Sequence, residues 1–366
     1  MRHYVIIISG FIFYEHFAGD FVYILAAEIL AVYILAKKIS KTACYAMALV
    51  LPVAVLAFYK YRFLHEPSNY LSWFNYITNS LIIPLGLSFL TFEIIHYVVD
   101  LRNRKIKSHN LADFMAFIMF FPSFSAGPIK RFQKFFRQPK ESRFRANNIF
   151  LGLLRIITGL FKKIVIADSI SFLRYPLSDP SLFLGEGSFS ALWVSVFAFS
   201  LEIYFDFSAY SDIAIGSAKM FGIALPENFN NPYLKTSISS FWRNWHISLY
   251  KWVADYIYLP LGGSRVSKIN LIRNVFIIFF IIGMWHGGSV NFILWGLYHG
   301  FIISLHRLYG FYLRPRIESR KFYNSNYMKL ASIALTFTLI SVGWVFFVIS
   351  DLKSITFILK NMFLIG

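Results

Sequence analysis

A long uncharged stretch limits what this chain can fold into: no Asp, Glu, Lys or Arg occurs between Asn274 and His306. Similar apolar runs recur along the 366 residues, of which 57% are hydrophobic and only 15% charged. Soluble domains are about 45–50% apolar and about 25% charged, so a single soluble core cannot absorb these side chains. The pattern predicts an integral membrane protein.

Several apolar segments approach the roughly 20 residues that a spanning helix needs. Pro84, Gly86 and Glu93 interrupt one of them, which indicates a broken or re-entrant helix shielded by protein. The first run, which ends at Tyr14, reaches spanning length only if it continues through Glu15 and His16. The candidate segments are 20–36, 43–59, 70–98, 111–126, 148–170, 188–205, 207–224, 274–286, 289–306 and 330–349.

We therefore predict an all-α, multi-pass helical bundle that forms one domain over residues 1–366. Some of its helices are expected to be broken, re-entrant or interfacial, and they enclose a polar tunnel. The formal charge of +18 comes from 36 Lys and Arg against 18 acidic residues. Basic residues cluster between apolar runs, as positive-inside topology and anionic lipid require, so we expect contact with membrane lipid and no nucleic acid. Cys44, the lone cysteine, excludes an intramolecular disulfide.

The region 225–263 differs from the spans and is predicted to contain an interfacial helix. Trp and Tyr are enriched at membrane interfaces, and here aromatic residues recur at helical spacing. The composition leaves open whether this helix is only an anchor. One predicted stripe is Phe241, Trp245, Leu249, Trp252 and Tyr256, and the other is Trp242, His246 and Tyr250.

His286 is the strongest candidate for a group that transfers a proton. If the chain is helical from Arg273, His286 lies roughly 20 Å from that charge, near the middle of a bilayer. The following Gly287 and Gly288 allow close backbone approach and a break in the helix. A neutral imidazole there can act as a general base. A core histidine bonded to a nearby carbonyl is the alternative that the residues leave open.

Other polar residues have weaker claims. His299 falls on a different helical face from His286, so we expect a structural role for it, and the sequence shows no cluster with metal-ligand spacing. Asp206 and Tyr210 are one turn apart and are predicted to share a helix face. Asp206 and Asp212 each need a partner among apolar neighbours, and structural pairing is an equal alternative to a role in the site.

Four blocks together resemble the membrane-bound O-acyltransferase (MBOAT) superfamily, and within it the membrane component of bacterial alginate O-acetylases. They cover about residues 120–300, and the flanking parts match in character only. Ala209 stands where relatives commonly have Gly, and relatives usually carry a further hydrophobic segment before the region that matches Tyr4. The blocks are Phe120–Ile129, Gly159–Lys163 with Ala167 and Asp168, Tyr204–Ser208 through Asn228 to Ser248, and Trp285–Gly287 with Trp295, Gly296, His299 and Gly300.

The resemblance implies an O-acyltransferase of the bacterial inner membrane. It places the essential histidine at His286 and a second functional position at His246. The implied donor is acetyl-CoA or another acyl thioester, with no bound cofactor or metal, and the acceptor is an exported glycan such as alginate or peptidoglycan. A separate periplasmic SGNH-type O-acetyltransferase is the implied partner. Tunnel or supporting roles are expected for Asp206, Tyr210, Asp212, Trp242, Arg243, Asn244, Trp285 and His299.

Two other classes of function fit some of these features. A transporter or flippase would use the intramembrane histidines and aspartates as a proton relay, although no inverted repeat is evident. A scaffold that recruits a periplasmic enzyme would need neither His286 nor His246.

Overall fold

The computed structural model describes residues 2–61, 84–107, 110–136, 145–174, 188–319 and 325–364, with the single residues 177 and 323. These parts of the chain are helical and contain no strand, so the all-α prediction is confirmed. The helices are α1 Arg2–Ala18, α2 Phe21–Lys37, α3 Thr42–Lys60, α4 Leu87–Arg102, α5 Leu111–Ile118, α6 Phe132–Phe136, α7 Ala146–Leu160, α8 Asp168–Ser171, α9 Ser188–Met220, α10 Ile238–Asn244, α11 Ile247–Val253, α12 Lys268–His286, α13 Val290–Tyr312, α14 Arg314–Ile317, α15 Asn326–Val348 and α16 Leu352–Met362.

Four of the described helices are long and apolar enough to cross a membrane: α3, α9 (from Phe189), α12 and α15. This agrees with an all-α membrane protein. The first apolar run was predicted to reach spanning length only if it continued through Glu15 and His16. Helix α1 does continue through both residues and ends at Ala18. The predicted segment 70–98 lies partly outside the described residues. Within them α4 begins only after Gly86, whose φ of +73° is left-handed, as a broken segment requires.

Three of the predicted segments are wrong as separate spans. Segment 111–126 contains only the eight-residue α5 and a 3₁₀ turn at Phe121–Ser123. Pro122 and Pro128 favour this break, since a proline inside a helix removes a backbone donor and crowds the preceding turn. Segments 188–205 and 207–224 are instead one continuous helix, α9. Its acidic residues Glu202, Asp206 and Asp212 do not interrupt it, and each pairs with a basic side chain outside the helix.

The segment after α7 also departs from a regular helix. Residues Phe161–Ala167 form a π-helix that leads directly into α8. Such wide turns are frequent at functional sites. This one contains Lys163, a residue of the second block that resembles the acyltransferases.

The chain divides into two compact units. That both belong to one domain over residues 1–366 stays a prediction. The first comprises Met1–Ile156 with Ser211–Pro226. Its core holds Tyr97 stacked on Phe114, with ring centroids 4.1 Å apart. A buried ion pair joins Lys130 to Glu93 of α4, and Lys130 also donates to Ser123 at 3.1 Å.

The second unit comprises Ile157–Tyr210 with Glu227–Gly366. It contains the helical hairpin of α12 and α13 and the short helices α10 and α11. A 3₁₀ turn at Pro232–Leu234 places Tyr233 in the core, where its hydroxyl donates to the Ser200 carbonyl at 2.7 Å. Both histidines that were predicted to act in the reaction belong to this unit.

Candidate functional site

His286 is the last residue of α12. The chain is extended at Gly287, and α13 begins at Val290, so the predicted break at the glycine pair is confirmed. A side chain at Gly287 would collide with the ring of Phe292. The local sequence therefore ends the helix immediately after the imidazole.

Small residues hold the two helices of this hairpin close together. A Cβ on Gly283 would strike the Phe292 carbonyl, and a Cβ on Gly296 would strike the Phe279 carbonyl. Membrane helices commonly use such residues to bring backbones near one another. The close approach fixes the end of α12, and with it His286, against α13.

The ring of His286 is half-buried among aromatic side chains. It meets Trp295 and Phe347 edge to face, with planes at 82° in both cases. The imidazole therefore has an apolar surrounding on several sides but is not sealed from outside. The centroid distances are 4.7 Å to Trp285, 5.0 Å to Trp295, 5.0 Å to Phe347 and 6.3 Å to Phe292.

His299 lies in a neighbouring set of rings, which we name the aromatic cluster. Two of its residues are fully buried: His299 is 0% exposed and Trp295 is 1% exposed. Trp295 also contacts His286, so the two histidines that helical geometry placed on different faces share one indole as a neighbour. The members of the aromatic cluster are Trp242, Phe279, Trp295, His299 and Trp344.

Within 225–263 the sequence predicted a helix with aromatic stripes from Phe241 to Tyr256, and the continuity of that helix is wrong, whereas its place at the interface stays a prediction. The helix breaks at His246, which has φ +46° and ψ +55° and precedes α11. His246 is buried, and its ring meets Phe207 edge to face at 4.7 Å. Burial lowers the pKa of His246 to about 3. The imidazole is therefore neutral at physiological pH.

Asn228 determines this break, and sequence reasoning assigned it no role of its own. Its side-chain oxygen accepts from the Ser248 N–H at 3.2 Å and from the Ser248 hydroxyl at 2.7 Å, and its carbonyl accepts from the Ile247 N–H at 2.9 Å. The Asn230 N–H donates to the Asn244 carbonyl at 3.1 Å. These bonds close residues 228–248 into a loop, which we name the closed loop.

The other candidates near His246 and His286 have different surroundings. Trp242 points from α10 to the aromatic cluster, whereas Arg243 is exposed and donates to the Ser239 carbonyl. Asn244 donates to the Ser240 carbonyl within its own helix. Trp285 is half-buried beside His286. Trp285 therefore contacts His286 directly, and Trp242 and His299 contact Trp295, which in turn contacts His286. Arg243 is exposed.

The acidic candidates have basic partners. Lys163 contacts both Asp206, at 2.7 Å, and Asp168, at 2.9 Å, in the second unit. Asp212 belongs to the first unit, where Arg155 contacts it at 2.6 Å. Tyr210 is half-buried on α9, and its predicted pairing with Asp206 stays a prediction. Both aspartates therefore have a charged neighbour, but only Asp212 is buried, since the Asp206 side chain is 50% exposed.

Within the described ranges no three His, Cys, Asp or Glu side chains are grouped as a metal site. The expectation that no metal takes part stays a prediction.

Comparison with known proteins decides the family. A sequence model of the membrane-bound O-acyltransferase family matches residues 90–348. The chain is a member of this family. Its resemblance to the family, predicted from the four blocks, is confirmed, and so is its class as an O-acyltransferase.

Relatives of this acyltransferase act on bacterial envelope polymers, according to their names. The probable alginate O-acetylase AlgI of Pseudomonas aeruginosa is 32% identical over 379 residues, which covers 100% of this chain and 70% of the relative. The peptidoglycan O-acetyltransferase of Helicobacter pylori is 34% identical over 394 residues, covering 98% and 73%. The teichoic acid D-alanyltransferase of Bacillus subtilis is 27% identical over 298 residues, covering 77% and 70%.

Proposed function

We propose that this acyltransferase moves an acetyl group from acetyl-CoA, or another cytoplasmic thioester, towards the hydroxyl of an exported glycan. The names of its relatives support this choice, because two of the three quoted above are O-acetylases of envelope glycans. The acceptor class is alginate or peptidoglycan. The protein resides in the bacterial inner membrane, and a periplasmic SGNH-type O-acetyltransferase completes the transfer.

The placement of His286 carries the proposal. It ends an apolar helix, stays half-buried, and is followed directly by two glycines at which the helix stops. In this role its imidazole takes the proton of the acceptor hydroxyl as the oxygen attacks the acyl carbon. General-base assistance of this kind contributes about 10²–10⁴ in rate.

His246 is assigned the positioning of the reacting groups. Its low pKa keeps it uncharged, so it can accept or donate a hydrogen bond without adding a charge. Trp242, Arg243 and Asn244 line the route to the site. Tyr210, Trp285 and Asp206, which belong to the same unit as His286, maintain its geometry.

The test is replacement of His286 by Ala in the protein at its native level in cells. Base-labile acetyl esters on the envelope glycan are expected to disappear while the protein still inserts in the membrane. The matched control is His16→Ala, which removes an exposed imidazole from α1 and should leave acetylation unchanged. Normal acetylation in His286→Ala would show that His286 is not the base.

A second experiment separates acyl transfer from transport. Purified protein with its partner is given labelled acetyl-CoA and a soluble acceptor, either mannuronate oligomers or peptidoglycan fragments. New labelled ester is expected, and it should depend on His286. A flippase would produce none.

A further inference from the structure

Three residues of the aromatic cluster have polar atoms that the packing does not use. Among the residues described, the indole nitrogens of Trp242 and Trp295 and both ring nitrogens of His299 are buried and make no hydrogen bond. Buried polar groups are paired in the great majority of cases, because an unpaired one costs free energy. Their concentration in one place points to a role other than packing.

The three rings are mutual neighbours. The ring centroid of His299 lies 4.9 Å from that of Trp242 and 4.9 Å from that of Trp295, and the two indoles are 5.6 Å apart. Trp295 in turn lies 5.0 Å from His286. One of the three rings with unused polar atoms therefore contacts the proposed base, and the other two contact that ring.

Trp344 also belongs to the aromatic cluster, but its indole nitrogen has a hydrogen-bond partner. It packs 6.2 Å from both Trp295 and His299, yet its indole N–H donates to the Tyr233 hydroxyl at 3.0 Å. Within the described part of the chain, the fold thus pairs one cluster indole and leaves two others, Trp242 and Trp295, without an acceptor.

We propose that Trp242, Trp295 and His299 bind the carbonyl oxygen of the acyl group and stabilise the oxyanion that forms on it. This rests on the proposed function. Each indole supplies one N–H donor, and a neutral imidazole supplies one more. Donors fixed in a site without water stabilise developing negative charge strongly, since they need no reorganisation during the reaction.

The step balances as follows. The acceptor hydroxyl oxygen bonds to the acyl carbon while its proton passes to His286, and the C=O electron pair moves onto the oxygen that faces the three donors. When that pair returns, the bond from carbon to sulfur breaks, and the thiolate takes the proton from His286. The rings touch one another, so the acyl oxygen reaches the donors once Trp242, the half-buried member, rotates away from His299.

The test replaces Trp295 by 3-benzothienylalanine, which exchanges the indole N–H for sulfur at nearly constant shape. With labelled acetyl-CoA and the acceptor that the wild type acetylates, kcat should fall by about 10²–10³, as for the loss of one oxyanion donor, with little change in KM for acetyl-CoA. The melting temperature should stay the same or rise, because no hydrogen bond is lost. Trp295→Phe, which uses a natural residue, should lower kcat in the same way.

The matched control is the same replacement at Trp344. There the melting temperature should fall, because the bond to Tyr233 is lost, while kcat stays within about twofold of wild type. A 3-benzothienylalanine variant at Trp295 with wild-type kcat, or one that loses stability as the Trp344 variant does, overturns the inference. If His286→Ala is inactive and the Trp295 variant is fully active, only this inference fails. If His286→Ala retains activity, the proposed function is wrong, and the inference that rests on it is wrong as well.

Discussion

His286 and His299 contact the same indole: Trp295 lies 5.0 Å from the first imidazole and 4.9 Å from the second, between ring centroids. The two imidazoles have different exposure, since His286 is half-buried and His299 fully buried. A change that displaces His299 should therefore reach His286 through Trp295.

Gly343→Ala tests this coupling. A Cβ at Gly343 would lie 2.5 Å from His299 Nε2 and 3.0 Å from Tyr298 Cε1. Overpacking of this kind costs about 1–3 kcal/mol, so we expect a lower melting temperature in detergent and reduced acetyl transfer. In the control, Gly310→Ala, the new Cβ meets nothing within 4 Å. Alanine is favoured over glycine inside a helix by roughly 0.5–1 kcal/mol, so this control should be slightly more stable. Equal stability of the two variants would show that the His299 side chain moves away from the new Cβ at little cost in free energy.

His246 should make stability depend on pH. Its pKa is lowered by burial from 6.5 to about 3, so between these values the unfolded chain binds a proton that the folded protein excludes. The free energy of unfolding should therefore fall as the pH drops below about 6.5, and the fall should continue towards pH 3. His246→Asn should weaken this dependence, as measured by unfolding at a series of pH values.

The backbone at His246 provides the control for that experiment. Asn tolerates a left-handed conformation, whereas a β-branched residue does not. His246→Val should therefore lose about 1–2 kcal/mol more than His246→Asn. If the two variants unfold alike, the bend at φ +46° does not constrain the side chain.

The two aspartate ion pairs should differ in their effect on stability. The Asp212 side chain is 6% exposed beside Arg155, and that of Asp206 is 50% exposed beside Lys163. A buried carboxylate loses more when its charge-assisted bond is removed, so Asp212→Asn should lower the melting temperature more than Asp206→Asn. Circular dichroism melts of the two proteins give the comparison. The reverse order would mean that Lys163 and Asp206 hold the fold together more than their exposure indicates.

Lys130 and Glu93 form a pair that should respond as a unit. Their side chains are 3% and 2% exposed, with Nζ and Oε2 2.5 Å apart. Lys130→Met leaves a buried carboxylate without its cation, which costs about 3–5 kcal/mol. Adding Glu93→Gln to that variant should recover part of the loss in a double-mutant cycle. Additive losses would contradict a direct interaction.

The sequence predicted the features that depend on local order. The glycines after the apolar run to His286 allowed a helix end there, and the structure has it. The family blocks identified an acyltransferase because each carries several matching residues in a fixed order.

The features that sequence reasoning missed depend on distant partners. The aromatic spacing continues through Trp245 and His246, so it resembles one helix, but bonds from Asn228 separate α10 from α11. The continuity of α9 was missed for the same reason, since its acidic residues looked like an interruption until Lys163 and Arg155 supplied their partners. Trp295 stood out only as a matching residue of the fourth block, because an unpaired indole nitrogen is recognised only from its surroundings.

The closed loop has a consequence for how a substrate enters. Hydrogen bonds join its two ends at Asn228 with Ile247 and at Asn230 with Asn244, so Trp242 and His246 lie on one tethered piece of backbone. A backbone displacement large enough to admit an acyl chain must carry both residues together or break those bonds. Backbone motion that opens the route must therefore also move His246. If a covalent cross-link joined the two ends of the closed loop, a substrate could enter only by rotation of side chains.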